Sequence, residues 1–320
     1  MKYRCAILDD YQNVALSYAD WSKLASDVEV KVFDQPFKGT EDVHRSLQSF
    51  QIVCMMRERT AFLRNTLEAL PDLKLLITTG AGNKSIDLAA AAERGITVAG
   101  TGTFGNPTAG VTFGLILELT RRIGFENARM KAGAPWQVTI GQDIEGLTLG
   151  VIGLGKLGRR VANVAKAFGM KVLAWSPNLT AEKCKEAGVD YAAKEDLLRN
   201  ADIVTIHVVL GDRSRGLIGE KDLALMKPTA YLVNTSRGPI VDEKALIAAL
   251  SNGRIGGAGL DVFNVEPLPV DHPFRKLDNV VLTPHLGYVS VQNYRIYYPD
   301  IVANIRNFLD GKPVKTLAPR

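Results

Sequence analysis

Short apolar runs recur along the first hundred residues, and the segments between them repeat their apolar positions at helical spacing. The runs are rich in β-branched residues and are predicted as strands at Cys5–Leu8, Val28–Phe33, Ile52–Met55, Leu73–Thr78 and Ile96–Val98. Helices are predicted between them, notably at Val14–Ala25 and Ser85–Arg94. Strands that alternate with helices are typical of βαβ units and a parallel sheet.

A turn-rich segment separates this series from a second one. After Pro107 the apolar spacing predicts one long helix from Pro107 to Lys131, apolar on much of its surface and therefore buried in its own domain or in a subunit interface. Six further strands are predicted from residue 147 onward, at Leu149–Ile152, Val172–Trp175, Ile203–Val208, Tyr231–Asn234, Gly259–Val262 and Val280–Thr283. Helices are expected at Lys156–Phe168, Glu243–Ser251 and 292–309. Six strands that alternate with helices in this way match a full dinucleotide-binding domain.

Composition narrows the class of protein. A chain of 320 residues favours two domains, and its net charge of +5 is spread without a dense Lys/Arg tract, which argues against nucleic-acid binding. No apolar stretch approaches the roughly 18 residues of a membrane span, and the apolar run near the N-terminus is too short for a signal peptide. Cys5, Cys54 and Cys184 lack metal or disulfide spacing. We expect a cytoplasmic protein without metal, membrane or nucleic-acid partners.

Gly153, Gly155 and Gly158 form a G-x-G-x-x-G turn after an apolar strand and before a helix, which is the context that the motif requires. The first glycine permits the tight turn, and the second lets a pyrophosphate approach the backbone. The third lets the helix pack closely on the strand. The turn therefore predicts dinucleotide binding, with the phosphates at the helix N-terminus.

The next strand predicts how the cofactor ribose is bound. NAD sites often carry Asp or Glu at its end, but this strand ends in Ser176, followed by Asn178. A hydroxyl and an amide can donate hydrogen bonds to a 2′-phosphate, and no carboxylate repels it. No arginine is present there either, so NADP is slightly favoured and NAD stays open.

One of the four histidines follows a buried strand at the sheet edge where α/β proteins bind ligands. His285 is that residue; His44 lies in a polar helical stretch, His272 in a turn, and His207 at a strand end where a wall of the cofactor site is expected. Two neighbouring strand ends add Arg237 and Glu266 to this edge.

These three side chains suit the reduction of a keto acid. A guanidinium binds a carboxylate through two parallel hydrogen bonds, and an imidazolium supplies a proton as hydride arrives. A carboxylate bonded to the second ring nitrogen of the histidine fixes its tautomer. The sequence therefore predicts an oxidoreductase of a small 2-keto or 2-hydroxy acid.

Four segments closely resemble the D-isomer-specific 2-hydroxyacid dehydrogenases, the family of phosphoglycerate dehydrogenase and glyoxylate/hydroxypyruvate reductase. They are 147–155, 234–238, 261–267 and 283–287, in the same order and spacing as in the family. The resemblance implies Arg237 as substrate-binding, Glu266 as the partner of the histidine, and His285 as the acid/base. It also implies a Rossmann dinucleotide-binding domain, residues 102–287, and a smaller flavodoxin-like substrate domain, residues 1–101 and 288–320. Subunits would dimerise through the dinucleotide-binding domain.

The resemblance extends to further residues. Arg57 is expected to face the cleft, and the backbone of Ala81 and Gly82 is expected to hold the substrate carboxylate. The cofactor site is expected to include Thr108, Gly153, Gly155, Lys156, Leu157, Gly158, Ser176, Asn178, His207, Thr235, Ser236, Asp261 and Gly287.

The chain also departs from the family at Gly110, where many members have a glutamate, at Asn83–Asp87, and at Val209, where a proline is usual. Two alternative functions stay open. One is a nucleotide-sensing regulator like the corepressor relatives of the family, and the other is a phosphonate dehydrogenase-like enzyme. A formate dehydrogenase-like enzyme is disfavoured, because such enzymes have a glutamine beside the histidine where this chain has Glu266.

Overall fold

A computed structural model describes residues 2–317 of the chain. The chain divides into two compact units, one formed by Met1–Gly105 with Ser290–Arg320 and the other by Asn106–Val289. The sequence places these boundaries after residues 101 and 287. The assignment of substrate binding to the first unit and of cofactor binding to the second stays a prediction.

The first unit is built on a parallel sheet of short buried strands. Its strands are β1 (Tyr3–Ile7), β2 (Val28–Val32), β3 (Ile52–Met55), β4 (Leu75–Thr78) and β5 (Thr97–Gly100). They lie in the order β2-β1-β3-β4-β5, which is the flavodoxin-like order. All four residues of β3 and of β4 are buried, as expected for strands covered by helices on both faces.

Three helices connect these strands: α1 (Thr40–Leu47), α2 (Arg64–Glu68) and α3 (Leu88–Glu93). The helix predicted at Val14–Ala25 is wrong. That segment forms two short 3₁₀ helices, because Asp10 accepts hydrogen bonds from the backbone N–H of Val14 and Ala15, and Asp20 accepts one from Ser22. Such local side-chain bonds compete with a continuous helix.

The second unit begins with α4 (Thr108–Arg121) and α5 (Ile123–Lys131) in place of the single helix predicted there. The helix breaks at Arg122, which adopts a left-handed conformation with φ 54°. The Glu118 carboxylate accepts hydrogen bonds from the backbone N–H of Gly124 and Phe125, so it satisfies donors at the start of α5. The break therefore depends on one acidic side chain.

A seven-stranded parallel sheet forms the centre of this unit. Its strands are β6 (Thr148–Ile152), β7 (Lys171–Trp175), β8 (Asp190–Tyr191), β9 (Ile203–Ile206), β10 (Tyr231–Asn234), β11 (Gly257–Leu260) and β12 (Val280–Leu282). They lie in the order β12-β11-β10-β9-β6-β7-β8, which contains the Rossmann order. The predicted class, a Rossmann unit with a smaller flavodoxin-like α/β unit, is confirmed. The sequence missed β8, whose two residues are exposed and carry no apolar alternation.

Apolar cores cover both faces of this larger sheet. The connecting helices are α6 (Lys156–Ala167), α7 (Ala181–Glu186), α8 (Lys194–Asn200), α9 (Glu220–Leu225) and α10 (Glu243–Ser251). One core contains Val151, Val161 and Ile116, and the other contains Ile152, Leu197 and Leu246. The final helix, α11 (Val291–Leu309), belongs to the first unit, where it packs against β4.

Candidate functional site

The carboxyl ends of β6, β9, β10, β11 and β12 all lie at one edge of the larger sheet. These strands are parallel neighbours, so the loops that follow them meet at that edge. The glycine turn follows β6, Arg237 follows β10, Glu266 follows β11 and His285 follows β12. The strand order reverses between β6 and β9, and ligands of open α/β sheets bind at such a switch point.

The glycine turn has the geometry of a dinucleotide cradle. Gly153 has φ 101°, a conformation that L side chains rarely adopt. A Cβ at Gly158 would overlap the carbonyl oxygen of Gly153, so only glycine lets α6 pack this closely. Gly155 precedes α6 without a side-chain cap, and Lys156 and Leu157 form the first turn. The uncapped backbone donors of this 12-residue helix fit a cofactor diphosphate.

The end of β7 carries no acidic side chain at the position of the expected ribose ligand. Ser176 is half-buried directly after the strand, and Asn178 is exposed in the turn that follows. The carbonyl of Ser176 accepts a hydrogen bond from the N–H of Leu179, which closes this turn. The site therefore offers neutral donors at the strand end.

His285 and Glu266 form a close pair. Nδ1 of His285 lies 2.6 Å from Oε2 of Glu266, and both side chains are largely buried. The other carboxylate oxygen of Glu266 accepts a hydrogen bond from the backbone N–H of Phe263 at 2.9 Å. His285 adopts φ 55°, a strained conformation for a non-glycine residue that is common at functional sites. The ring also contacts Tyr288 edge-on, with centroids 5.6 Å apart.

Asp261 fixes the loop that carries His285. It is fully buried, and its carboxylate accepts hydrogen bonds from the Thr283 hydroxyl at 2.6 Å and from the N–H groups of Leu286 and Gly287 at 2.7 and 2.9 Å. Burial raises the pKa of the Asp261 carboxyl. The hydroxyl of Thr108 donates to the carbonyl of Gly287 at 2.9 Å. The loop is therefore held from both sides by hydrogen bonds within the protein.

The loop after β10 is bonded to its surroundings in the same way. The Ser236 hydroxyl donates to the carbonyl of Ile206 at 2.8 Å, and the hydroxyls of Thr235 and Thr112 lie 3.1 Å apart. The guanidinium of Arg237 donates to the carbonyl of Ser236 at 2.6 Å. Arg237 is therefore oriented by its own loop.

His207 lies directly after β9, beside the glycine turn. Its Nε2 is 3.0 Å from the Thr205 hydroxyl, and its buried Nδ1 has no hydrogen-bond partner among the described residues. Burial lowers the pKa of the His207 imidazole to about 3, so this ring is neutral at physiological pH. It fits a neutral wall of the cofactor site, as the sequence predicts, and does not fit a proton donor.

The remaining histidines have local partners. His44 lies on α1, 3.4 Å from the Thr66 hydroxyl, and is half-buried where the sequence suggests a surface residue. His272 accepts a hydrogen bond from the N–H of Phe274 and caps the 3₁₀ helix Pro273–Lys276.

In the first unit, Arg57 follows β3 and adopts φ 52°. Its backbone N–H donates to the Thr79 hydroxyl at 2.9 Å, and its guanidinium donates to the Thr79 carbonyl at 3.1 Å. The side-chain amide of Asn83 donates a hydrogen bond to the carbonyl of Arg57 at 2.6 Å. In the sequence, Asn83 stands out only because its segment departs from the family pattern. Ala81 and Gly82 lie exposed in the loop after β4.

Among residues 2–317, no group of three or more His, Cys, Asp or Glu side chains is arranged to hold a metal ion. In the same part of the chain, no helix combines the length and the apolar character needed to cross a membrane.

Comparisons with known proteins agree on one family. Residues 113–287 match the family described as D-isomer specific 2-hydroxyacid dehydrogenase, NAD binding domain. The chain is 43% identical over 252 residues to a glyoxylate reductase of Korarchaeum cryptofilum, covering 77% of this chain and 76% of that protein. It is 39% identical over 263 residues to a glyoxylate reductase of Aeropyrum pernix, covering 79% and 78%. Among solved structures, a phosphoglycerate oxidoreductase from Vibrio cholerae matches with a TM-score of 0.89 and 34% identity, over 97% of this chain and 99% of that one.

Proposed function

The chain belongs to the D-isomer specific 2-hydroxyacid dehydrogenases, which interconvert 2-keto and 2-hydroxy acids with a nicotinamide cofactor, and we propose that it reduces glyoxylate and hydroxypyruvate. The observation that carries the proposal is the His285–Glu266 pair, 2.6 Å apart, at the same sheet edge as Arg237 and the glycine turn. The similarity to two glyoxylate reductases supports glyoxylate as a substrate.

In this proposal Arg237 binds the substrate carboxylate and polarises the adjacent carbonyl. A guanidinium presents a planar fork of donors that matches a carboxylate, and the bond to the Ser236 carbonyl limits its motion. Arg57 and the backbone of Ala81 and Gly82 are proposed as further substrate contacts, as the sequence predicts. The strained backbone of Arg57 and its two hydrogen bonds to Thr79 support a functional role for its guanidinium.

His285 is the proposed acid/base. Glu266 accepts the hydrogen bond from Nδ1, which leaves Nε2 to hold the transferable proton. In the reductive direction, Nε2 donates this proton to the carbonyl oxygen, and in the oxidative direction it removes the proton from the hydroxyl. When bound at the glycine turn, a nicotinamide cofactor would supply the hydride to the carbonyl carbon, or accept it from that carbon in the oxidative direction. The Glu266 carboxylate, 2.6 Å from Nδ1, stabilises the imidazolium before proton transfer.

We propose the same cofactor residues as the sequence predicts. Gly153, Gly155 and Gly158 shape the turn, and Lys156 and Leu157 begin the helix that faces the diphosphate. Asp261, Thr235 and Ser236 already bond within the protein, so their contribution is to shape the site. Thr108 and Gly287 are proposed to line it through the loop that they hold together.

Substrate size tests the proposed specificity. Steady-state kinetics with glyoxylate, hydroxypyruvate, pyruvate and 2-ketoisocaproate, each with NADPH and NADH, give kcat/KM for every pair. We expect the highest values with glyoxylate and hydroxypyruvate. A preference for the branched keto acid would overturn the proposed substrate while leaving the family chemistry intact.

We propose a preference for NADP, supported by the neutral donors Ser176 and Asn178 at the end of β7. A Ser176→Asp variant places a carboxylate where it repels a 2′-phosphate and can accept a hydrogen bond from a 2′-hydroxyl. The ratio of kcat/KM for NADPH to that for NADH should then fall by about 10- to 100-fold. Ser176→Asn, which has the size of aspartate without its charge, is the control and should change this ratio far less. An unchanged ratio in Ser176→Asp would remove this strand end from cofactor selection.

We propose that the chain forms a homodimer through the second unit. The segment from α5 to residue 140 exposes several large apolar side chains: Ile123, Phe125, Met130, Trp136, Val138 and Ile140. Trp136 is 66% exposed and Ile140 fully exposed. The Glu126 carboxylate holds the N–H groups of Val138 and Thr139, so this segment lies alongside α5. Exposed apolar patches of this kind mark interaction sites, and a second copy of the chain is the proposed occupant.

Light scattering after size-exclusion chromatography tests the dimer. We expect the wild type to have twice the mass of the chain, and the double variant Trp136→Asp/Ile140→Asp to elute as a monomer, because buried charges disfavour the interface. Leu16→Asp, an equally drastic change at an exposed leucine of the first unit, should stay dimeric. A monomeric wild type would contradict the proposal.

A cytoplasmic location is also proposed, and the cysteines support it. Cys5 and Cys54 are buried on neighbouring strands with their sulfur atoms 3.8 Å apart, and both are free thiols, as is Cys184. Thiols of this kind persist in a reducing compartment.

The two alternative functions are distinguished by turnover. A nucleotide-sensing regulator would bind cofactor tightly without oxidising it in the presence of a keto acid. A phosphonate dehydrogenase-like enzyme would reduce NAD or NADP with phosphite or a phosphonate. The Arg237, Glu266 and His285 set favours the keto-acid reaction over the first alternative.

A further inference from the structure

Asn234, the last residue of β10, is a buried amide whose two ends both bond to the loop that carries Arg237. Only 1% of its surface is exposed. Its Oδ1 accepts a hydrogen bond from the N–H of Ser236 at 3.0 Å, and its Nδ2 donates to the carbonyl of Arg237 at 3.0 Å. The side chain therefore closes the loop across three residues.

This pair of bonds requires an amide. A carboxylate accepts hydrogen bonds and cannot donate to a carbonyl, whereas Asn offers both an acceptor and donors on one planar group. The carbonyl of Arg237 also accepts a hydrogen bond from the N–H of Ile240 at 3.3 Å. The Asn234 amide and this N–H together fix the orientation of the Arg237 carbonyl. The backbone carbonyl of Asn234 meanwhile accepts from the N–H of Asp261. The residue joins two adjacent strand ends.

The same loop is packed against the segment that leads to Glu266. A Cβ at Gly238 would overlap the backbone of Phe263, so the peptide after Arg237 lies directly on that segment. The N–H of Phe263 in turn donates to Glu266, whose other oxygen pairs with His285. The position of the Arg237 backbone is thus linked by contacts to the acid/base pair.

We propose that Asn234 is a positioning residue that fixes Arg237 in the orientation that binds the substrate carboxylate. The proposal rests on the proposed function, in which Arg237 makes that contact. Because Asn234 acts through Arg237 and not on the hydride or proton, its loss should weaken substrate binding more than it slows the chemical step.

The test uses two variants that both lose the donor to the Arg237 carbonyl. Asn234→Asp keeps the size of the side chain, and Asn234→Ala removes the amide without adding a charge or a hydroxyl donor. In each full-length enzyme we expect KM for hydroxypyruvate to rise by about 5- to 30-fold, with kcat reduced less than KM is raised and the dissociation constant of NADPH changed far less than KM. Asn200→Asp makes the same substitution at an exposed helix end, where Nδ2 bonds to the Asp196 carbonyl, and should have wild-type kinetics.

A double-variant cycle with Arg237→Lys separates positioning from general stability. If Asn234 acts through Arg237, Asn234→Asp should lower kcat/KM much less in the Arg237→Lys background than in the wild type. Equal effects in the two backgrounds, or parallel losses of kcat, cofactor affinity and melting temperature, would overturn the proposal. An inactive wild type would refute the proposed function itself, whereas an active wild type with unaltered Asn234 variants would refute this inference alone.

Discussion

His285→Ala is expected to reduce kcat for hydroxypyruvate reduction by about 10²- to 10⁴-fold, the usual contribution of a general acid. The reason is the geometry of the ring: Glu266 lies 2.6 Å from Nδ1, and Asp261 holds the loop on either side of the histidine. Removing the imidazole leaves water to protonate the carbonyl oxygen. Stopped-flow absorbance of the reduced nicotinamide, with saturating substrate and cofactor, measures the chemical step directly.

Controls for this variant separate loss of the acid from loss of the fold. The dissociation constant of NADPH should stay near its wild-type value, because His285 belongs to the loop after β12 and the glycine turn follows β6. His44→Gln, in the first unit, should keep its activity. A His285→Ala enzyme with the wild-type rate would remove this residue from the mechanism.

Arg237→Ala is expected to lower kcat/KM for 2-keto acids by about 30- to 4,000-fold, which corresponds to roughly 2–5 kcal/mol for truncating one side of a hydrogen-bonded charge pair. Arg237→Lys should recover only part of this loss, because an ammonium group provides a point charge in place of a planar fork of donors. Steady-state kinetics over a range of hydroxypyruvate concentrations measure both effects.

The distribution of the effect between kcat and KM is informative. Binding of the carboxylate alone would appear in KM, whereas polarisation of the carbonyl by Arg237 would also lower kcat. We expect both, with the larger change in KM. Equal kcat/KM for Arg237→Ala and the wild type would exclude the guanidinium from substrate recognition.

Much of the fold follows from local sequence patterns. The mainly apolar runs at β3 and β10 coincide with the predicted strands residue for residue, because seven of their eight residues are buried. The break between α4 and α5 was not predictable in this way. It depends on hydrogen bonds from the N–H groups of the next turn to the Glu118 carboxylate. The spacing of apolar residues along the helix carries no information about such bonds.

Some features of the candidate site could likewise be predicted from the sequence, and others could not. Strand ends in a parallel sheet share one edge, so the proximity of Arg237, Glu266 and His285 could be predicted from their positions after strands. The roles of Asn234 and Asp261 could not, because an amide or a carboxylate at a strand end resembles any turn residue until its partners are known. Both are buried and fully bonded to neighbouring loops, and these contacts exist only in the folded chain.

The configuration of the product decides whether the enzyme makes D-2-hydroxy acids. Purified wild-type enzyme is given hydroxypyruvate with NADPH or NADH, and the glycerate formed is quantified and resolved by chiral chromatography. We expect D-glycerate in amounts equal to the reduced cofactor consumed. L-glycerate, or no glycerate with either cofactor, would exclude this activity.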